Sequence, residues 1–346
     1  MNITIDDHYM LEVLKKLIEI PSPSGFTDEV VRFIKGELDG MGVPYVETLR
    51  GALRASPGGI RNTTKTACIA HVDSLGATVK ELKPSGRLKA APIGGLTPRG
   101  AEWARVTIFS DSRTFRGTVL PVKASVHVHR DEVNTQKSTW DDTEIRLDER
   151  VASAEDLSSL GVNVGDIISL DPGYEVTDSG FINSRFLDDK AGVAVLLSVL
   201  RVFAEADAPC PDFEVIITNS EETGAAGSHV VPEYIEKLVV VDCSIQDPKQ
   251  NTSEYGVTLC FQDAGMRFSR ALNRELIEVC EKNSIPFTRD VFSNYATDAY
   301  SVYQAGGDLL AALVCFAADA SHAYERTHID SLASVARLVT GYLAEE

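Results

Sequence analysis

Four apolar, β-branched runs in this chain are each followed by residues that can bind a metal ion, and no other feature of the sequence constrains the fold as tightly. The runs are Ala67-Cys68-Ile69-Ala70 before His71 and Asp73, Phe213-Glu214-Val215-Ile216-Ile217 before Glu221 and Glu222, Leu238-Val239-Val240-Val241 before Asp242, and Leu313-Val314-Cys315-Phe316 before His322. Runs of this length and composition read as buried strands. A fifth segment, Leu187-Asp188-Asp189, opens a long amphipathic helix instead. In an open α/β sheet the ligand crevice lies beyond the carboxyl ends of the strands, so the five segments are expected to converge. Two imidazoles and several carboxylates form a donor set suited to Zn, Co or Mn, and its wealth of carboxylates favours two ions over one.

A chain of 346 residues has room for two domains. Its net charge of −18 argues against nucleic acid or an anionic membrane surface as partner, since both would repel it. Residues 1–8 show no basic region followed by an apolar core, so no secretory signal is read there. The longest apolar stretch, 191–200, is interrupted by Ser198 and ended by Arg201, too short to span a bilayer. The expected setting is the cytoplasm and the expected substrates are small. Six widely spaced cysteines without a C-x-x-C pair speak against a disulfide framework or a thiolate zinc site. Cys243 follows Asp242, and strand alternation is expected to turn it away from a metal.

Helical spacing of Met10, Leu11, Leu14, Leu17 and Ile18 ends at Ile20-Pro21-Ser22-Pro23-Ser24-Gly25, a run of turn residues. A second helix follows, with Thr27 as N-cap and Val30, Val31, Phe33, Ile34 and Leu38 as its buried stripe. Between residues 76 and 165 the pattern becomes short alternating strands, for example 104–109, 117–122 and 144–147. The expected organisation is therefore an α/β domain made of residues 1–75 and 166–346, with a small β-rich domain, 76–165, inserted in it.

Each candidate ligand has an ordinary alternative. His71 and Asp73 share one face of an extended segment, so His71 can bind a metal while Asp73 orients its ring; alone, the pair is equally a solvated strand end. Neighbouring side chains in Glu221-Glu222 point in different directions, which lets Glu222 bind a metal and Glu221 act as base. In isolation the pair is an acidic turn before Gly224. Asp188 is an N-cap candidate, and either His322 or His328 can be a packing residue. His127 and His129 alternate as if on a strand, and His229 reads as structural. The joint pattern, with no thiolate motif or nucleophile elbow beside it, favours the metal centre.

Ile20-Pro21-Ser22-Pro23-Ser24-Gly25, Ala70-His71-Val72-Asp73, Ile93-Gly94-Gly95, Leu187-Asp188-Asp189-Lys190-Ala191-Gly192, Glu221-Glu222-Thr223-Gly224, Val241-Asp242, Thr297-Asp298 and Ser321-His322 together resemble the tetrahedral (TET) aminopeptidases. These are the FrvX and glutamyl-aminopeptidase group of dinuclear metallopeptidases, peptidase family M42. The resemblance implies a mixed-sheet α/β catalytic domain of the dinuclear zinc-peptidase type, with an inserted β-rich, PDZ-like domain used in assembly. It implies two divalent ions per chain, bridged by Asp188, one also held by His71 and Asp242 and the other by Glu222 and His322. Glu221 would be the general base, Asp73 would orient His71, and Thr297, Asp298 and Tyr324 would touch substrate. Short peptides would be cleaved at the first residue by a homo-oligomer, a twelve-subunit shell in the family.

The chain departs from the family at Ala296, where Gly is usual, and after His322, where Ala323-Tyr324-Glu325-Arg326-Thr327-His328 replaces Ser-Pro and a Glu four residues on. The second departure makes His328 a rival ligand. It also resembles a bacterial branch found alongside synthesis of an acetylated glutaminyl-glutamine amide osmolyte, which gives a second reading, a metal-dependent amide hydrolase for an acylated dipeptide. A third reading, a non-catalytic assembly protein on the same fold, sits poorly with a complete set of ligands and base.

Overall fold

In the computed structural model, which describes residues 4–345, the four apolar runs are neighbouring parallel strands. Phe213–Thr218, Thr66–His71, Lys237–Gln246 and Leu310–Asp319 lie side by side in that order, within a mixed sheet of 11 strands. Antiparallel strands flank them, Leu53–Ala55 on one side and Glu325–His328 on the other. Strands buried on both faces need no polar alternation, which is why they read as continuous apolar runs.

The helix Leu187–Ala204 corrects the expectation of an amphipathic element. Every residue from Leu187 to Leu200 is buried, because this helix packs against the sheet and also against the helices Asp7–Glu19 and Ile329–Leu343. A helix enclosed on all sides is apolar all round. Its one deeply buried cation, Lys190, donates to the carbonyls of Leu17 and Ile20 at 2.8 and 2.7 Å. Those acceptors close the first helix just where the proline-rich turn begins. That turn in turn braces the His71 strand: Ser22 Oγ donates to the Val72 carbonyl and the Ser74 N–H donates to the Ser22 carbonyl.

The inserted segment is a closed barrel ordered Gly76–Leu82, Leu88–Ile93, Thr143–Leu147, Thr114–Pro121, Arg105–Phe109 and Ile167–Leu170. Closure removes free strand edges. The barrel thus runs to Leu170, past the break read at residue 165, because Ile167 and Ile168 pair with Thr78 and Ala77 and complete the ring. His127 and His129 are not on a strand; they fall in a short helix, Val126–His129, on an excursion from the barrel. No helix among the described residues is long and apolar enough to cross a membrane.

Candidate metal centre

His71 ends its strand and pairs in register with Thr218, the last residue of the adjacent strand. Asp242 is inside its own strand rather than after it, since Lys237–Gln246 continues alongside Leu310–Asp319. Its pairing with the His71 strand, however, stops at Val240 opposite Ile69. The Asp242 carboxylate therefore stands where the sheet opens.

Nδ1 of His71 lies 3.0 Å from the main-chain oxygen of Asp73. A carbonyl only accepts, so Nδ1 carries the proton and Nε2 is the ligand position. Nε2 is 3.1 Å from Asp188 Oδ1 and 3.8 Å from Glu221 Oε2. Burial opposes a charge on His71, but the carboxylates of Asp188, Asp73 and Glu221 outweigh it and raise the ring's pKa well above its ordinary value. The orienting atom is thus the carbonyl of Asp73, where its carboxylate was expected; that carboxylate lies 3.6 Å from Nδ1. It is occupied elsewhere, accepting from Ser24 Oγ and from the N–H groups of Glu221 and Glu222 at 3.0 and 3.3 Å. Asp73 anchors the turn that carries the proposed base.

Asp188 occupies the middle. Its Oδ1 faces His71, and its Oδ2 is 3.4 Å from His322 Nε2. With both oxygens turned to imidazoles and none to a helix N–H, it is no N-cap; Asp188 and Asp189 have non-helical backbone angles and the regular helix begins after them. Glu222 Oε2 is 3.9 Å from His322 Nε2. Each residue offers one ligand atom to two compact groups, His71 with Asp189 and Asp242, and Asp188 with Glu222 and His322. Within each group those atoms lie within 4.8 Å of one another.

The donor chemistry fits divalent cations. Glu222 Oε1 and Asp189 Oδ1 are buried without a hydrogen-bond partner, an arrangement costing several kcal/mol unless a cation meets them. Burial raises the pKa of Glu222 and Asp189 well above the carboxylate range, with Asp188 and Asp242 adding repulsion respectively. It pushes Asp242 up to about 7. Glu221 is likewise held far above the ordinary value by burial and by Asp242, Asp298 and Glu222, with His71 opposing. Its Oε2, 3.8 Å from His71 Nε2, places the carboxylate beside the position of a bound ion, where a general base is needed.

The structure brings together the five expected ligands and the expected base. It adds Asp189, whose Oδ2 accepts from the His71 N–H at 3.1 Å. It also adds Glu325, a buried carboxylate accepting from the His322 N–H at 3.0 Å and the Asp188 N–H at 3.2 Å. His322 has a left-handed backbone, φ 66°, and Glu325 holds it there. The only signal in the sequence was that Glu325 comes three residues after His322. Cys243 is nearer than alternation implied, its sulfur grouped with Asp188 and Asp242 within 4.8 Å. It faces the central helix, and Asp188, preceding that helix, reaches back to the same side of the sheet.

Other expected contacts fall elsewhere. Thr297 and Asp298 are buried, and Asp298 Oδ2 accepts from Thr218 Oγ1 at 2.6 Å beneath the site. The cleft wall is built by the preceding Asn294, Tyr295 and Ala296, because Thr297 already starts the helix Asp298–Gln304. Tyr324 turns outward and donates to the Gly173 carbonyl at 2.6 Å. His328 is no rival ligand: Nδ1 accepts from the Asp330 N–H at 3.1 Å, capping the C-terminal helix, and Nε2 is 2.9 Å from the Ser179 carbonyl. A cleft of about 640 Å³ opens over Asp188, Glu221, Glu222, Asp242 and His322, walled on one side by Gly95 and Thr97 of the inserted barrel.

Comparisons with known proteins bear on the family and the fold. The profile of the M42 glutamyl aminopeptidase family matches residues 51–338. YhfE of Bacillus subtilis is 39% identical over 336 residues, 96% of each chain. Aminopeptidase APDkam598 from the archaeon Desulfurococcus kamchatkensis superposes with a TM-score of 0.86 at 22% identity, over 98% of this chain and 96% of its own. The TET1 peptidase of Pyrococcus horikoshii, described as able to assemble into a tetrahedron or a large octahedral shell, gives 0.82 at 21% identity over 96% and 98%.

Proposed function

Because this chain belongs to the M42 glutamyl aminopeptidase family of metal-dependent peptidases, we propose that it is a two-metal aminopeptidase removing the first residue of short peptides. One observation carries the reading: two donor groups share Asp188 as neighbour, with the Glu221 carboxylate beside them. His71, Asp188 and Asp242, with Asp189 close by, would hold one ion, and Asp188, Glu222 and His322 the other. Bound there, such ions supply Lewis-acid polarisation of a carbonyl and acidify water. Glu221, anchored through its N–H to Asp73, takes a proton from the attacking water and returns it to the leaving amine.

The reading extends to assembly and setting. A homo-oligomer, a twelve-subunit shell, is proposed by likeness to the TET1 peptidase. Six free cysteines among the described residues suit a reducing compartment, the cytoplasm. Zn, Co and Mn all suit the donors. The alternative of an acylated-dipeptide hydrolase loses its motive, since Tyr324, Glu325 and Arg326 are committed to Gly173, to backbone N–H groups and to Glu254.

The test is metal content measured together with hydrolysis of unblocked and N-acetylated peptides after reconstitution with Zn, Co or Mn. About two ions per chain, the stoichiometry expected of such a site, with cleavage of unblocked peptides only, is the expected result. Two ions with attack on blocked substrates, or with no cleavage at all, overturns it.

A further inference from the structure

His71 and His322 are fixed by different means. The ring of His71 is held at Nδ1 by the Asp73 carbonyl, the usual device for orienting a metal-binding imidazole. Among the described residues no hydrogen bond reaches Nδ1 of His322. What meets that ring is the turn leaving barrel strand Leu88–Ile93. A Cβ added to Gly95 would lie 2.6 Å from Nδ1 and 2.8 Å from Cε1 of His322. Gly94, at φ +69°, lies against the other ligand of the pair, since a Cβ there would meet the Glu222 carbonyl at 3.1 Å and its Cβ at 3.2 Å. Farther along the same excursion, a Cβ on Gly100 would come 3.1 Å from the His322 carbonyl. Arg185 ties the two parts together: its Nη1 donates to the Gly100 carbonyl at 2.7 Å and to the Ala323 carbonyl at 3.2 Å.

We propose that the Gly94-Gly95 turn of the inserted barrel is the positioning wall for the His322 and Glu222 side of the metal centre, with Arg185 as the latch that seats it. The inference rests on the two-metal reading. Steric contact does for His322 what a carbonyl does for His71. The barrel is accordingly part of the catalytic centre as well as a separate module, and the Ile93-Gly94-Gly95 motif has a role. Any side chain at residue 95 must turn the His322 ring or push the barrel segment outward. Either movement acts on the Glu222 and His322 ion and leaves the His71 ion in place.

The test is Zn²⁺ titration of the metal-free protein by calorimetry, with bound metal counted after dialysis. Gly95→Ala is expected to keep one ion at wild-type affinity and to bind the second about 10- to 100-fold more weakly, the usual cost of disturbing a ligand's support. The double variant Gly95→Ala/His322→Ala should bind no more weakly than His322→Ala, because residues acting through one another do not add. Gly40→Ala, whose added Cβ meets nothing within 4 Å, should match wild type. If Gly95→Ala does not fold, Arg185→Gln removes the latch without filling space and should weaken the same ion. Wild-type binding by Gly95→Ala, equal loss of both ions, or additive loss in the double variant overturns the wall. A wild-type protein that itself takes up fewer than two ions overturns the two-metal reading instead.

Discussion

Asp73→Asn separates two jobs that a carboxylate near a metal-binding histidine can do. The Asp73 carboxylate is fully buried and accepts from Ser24 Oγ and from the N–H groups of Glu221 and Glu222. Asparagine keeps one oxygen and places an NH₂ group where the other was. Leaving the oxygen on the side of Ser24 and Glu222 preserves two contacts and faces the amide against the Glu221 N–H. One charge-assisted hydrogen bond is then lost and a buried donor left unpaired, together about 2–4 kcal/mol of stability. The Glu221 turn relaxes, and a base displaced by ~1 Å costs on the order of 100-fold in kcat. The His71 ring keeps its orientation, because its Nδ1 is held by the Asp73 carbonyl, which asparagine retains; it loses one of the carboxylates that raise its pKa. Urea unfolding, metal titration and kcat on an unblocked peptide read these separately. The expected outcome is lower stability and a kcat reduced about 100-fold with metal uptake like wild type. If the variant instead loses an ion as His71→Ala does, and keeps its turnover per bound metal, the carboxylate steers His71 and the argument fails.

Glu221→Gln should bind both ions and lose at least ~100-fold in kcat; full activity removes Glu221 from the role of base. His328→Ala should lower stability by about 1–2 kcal/mol through loss of the helix cap while metal content stays the same, and a lost ion would return His328 to the ligand set. Stripping the metals should leave a protein whose stability falls as pH rises from ~4 toward 8. Burial raises Asp242 to about 7 and Glu325 to about 8, so across that window the folded state binds more protons than the unfolded one. Urea unfolding of the chelated protein at pH 5 and pH 8 checks the sign, and greater stability at pH 8 refutes it.

The four parallel strands were legible because strands buried on both faces carry an unbroken apolar signal, and His71, Glu222, Asp242 and His322 stood out as candidate ligands because each comes at or beyond the end of such an apolar run. Contacts made by backbone atoms were not. His71 is oriented by a carbonyl that every residue has, so its sequence neighbourhood pointed to the Asp73 side chain instead. Glu325 binds two N–H groups from segments 137 and 3 residues away, a relation visible only once strand Glu325–His328 pairs with Phe181–Ser184, which sets Ser184 opposite Glu325 just ahead of Asp188. Thr297, Asp298 and Tyr324 were placed by family likeness alone. The fold buries Thr297 and Asp298 and turns Tyr324 outward onto the Gly173 carbonyl, and it is Asn294, Tyr295 and Ala296 that reach the cleft. The helix Leu187–Ala204 misled for the opposite reason: the segment that opens on Asp188, Asp189 and Lys190 read as an amphipathic helix, but all three are buried, two at the candidate metal centre and one in the brace behind it.

Two carboxylates, Asp73 and Glu325, set the geometry of the centre from opposite sides. Asp73 fixes the turn bearing Glu221 and Glu222, and Glu325 fixes the backbone of Asp188 and His322. Both do so by accepting backbone N–H groups, which places the ligands without drawing on their side chains. The cost is electrostatic: Asp73, Asp188, Asp189, Glu221, Glu222, Asp242 and Glu325 are crowded together, and among the described residues no lysine or arginine lines the cleft. The buried Lys190 is nearby, but burial lowers its pKa to about 7, with Asp73 opposing, and its ammonium is committed to the carbonyls of Leu17 and Ile20. A scaffold that sets two imidazoles, His71 and His322, against so many carboxylates must hold protons or take up cations. Divalent ions at the two donor groups would neutralise the excess at the atoms left unpartnered, Glu222 Oε1 and Asp189 Oδ1. Metal binding and stability should therefore rise together, by about 4 kcal/mol per site at a free-ion concentration of ~1,000 Kd.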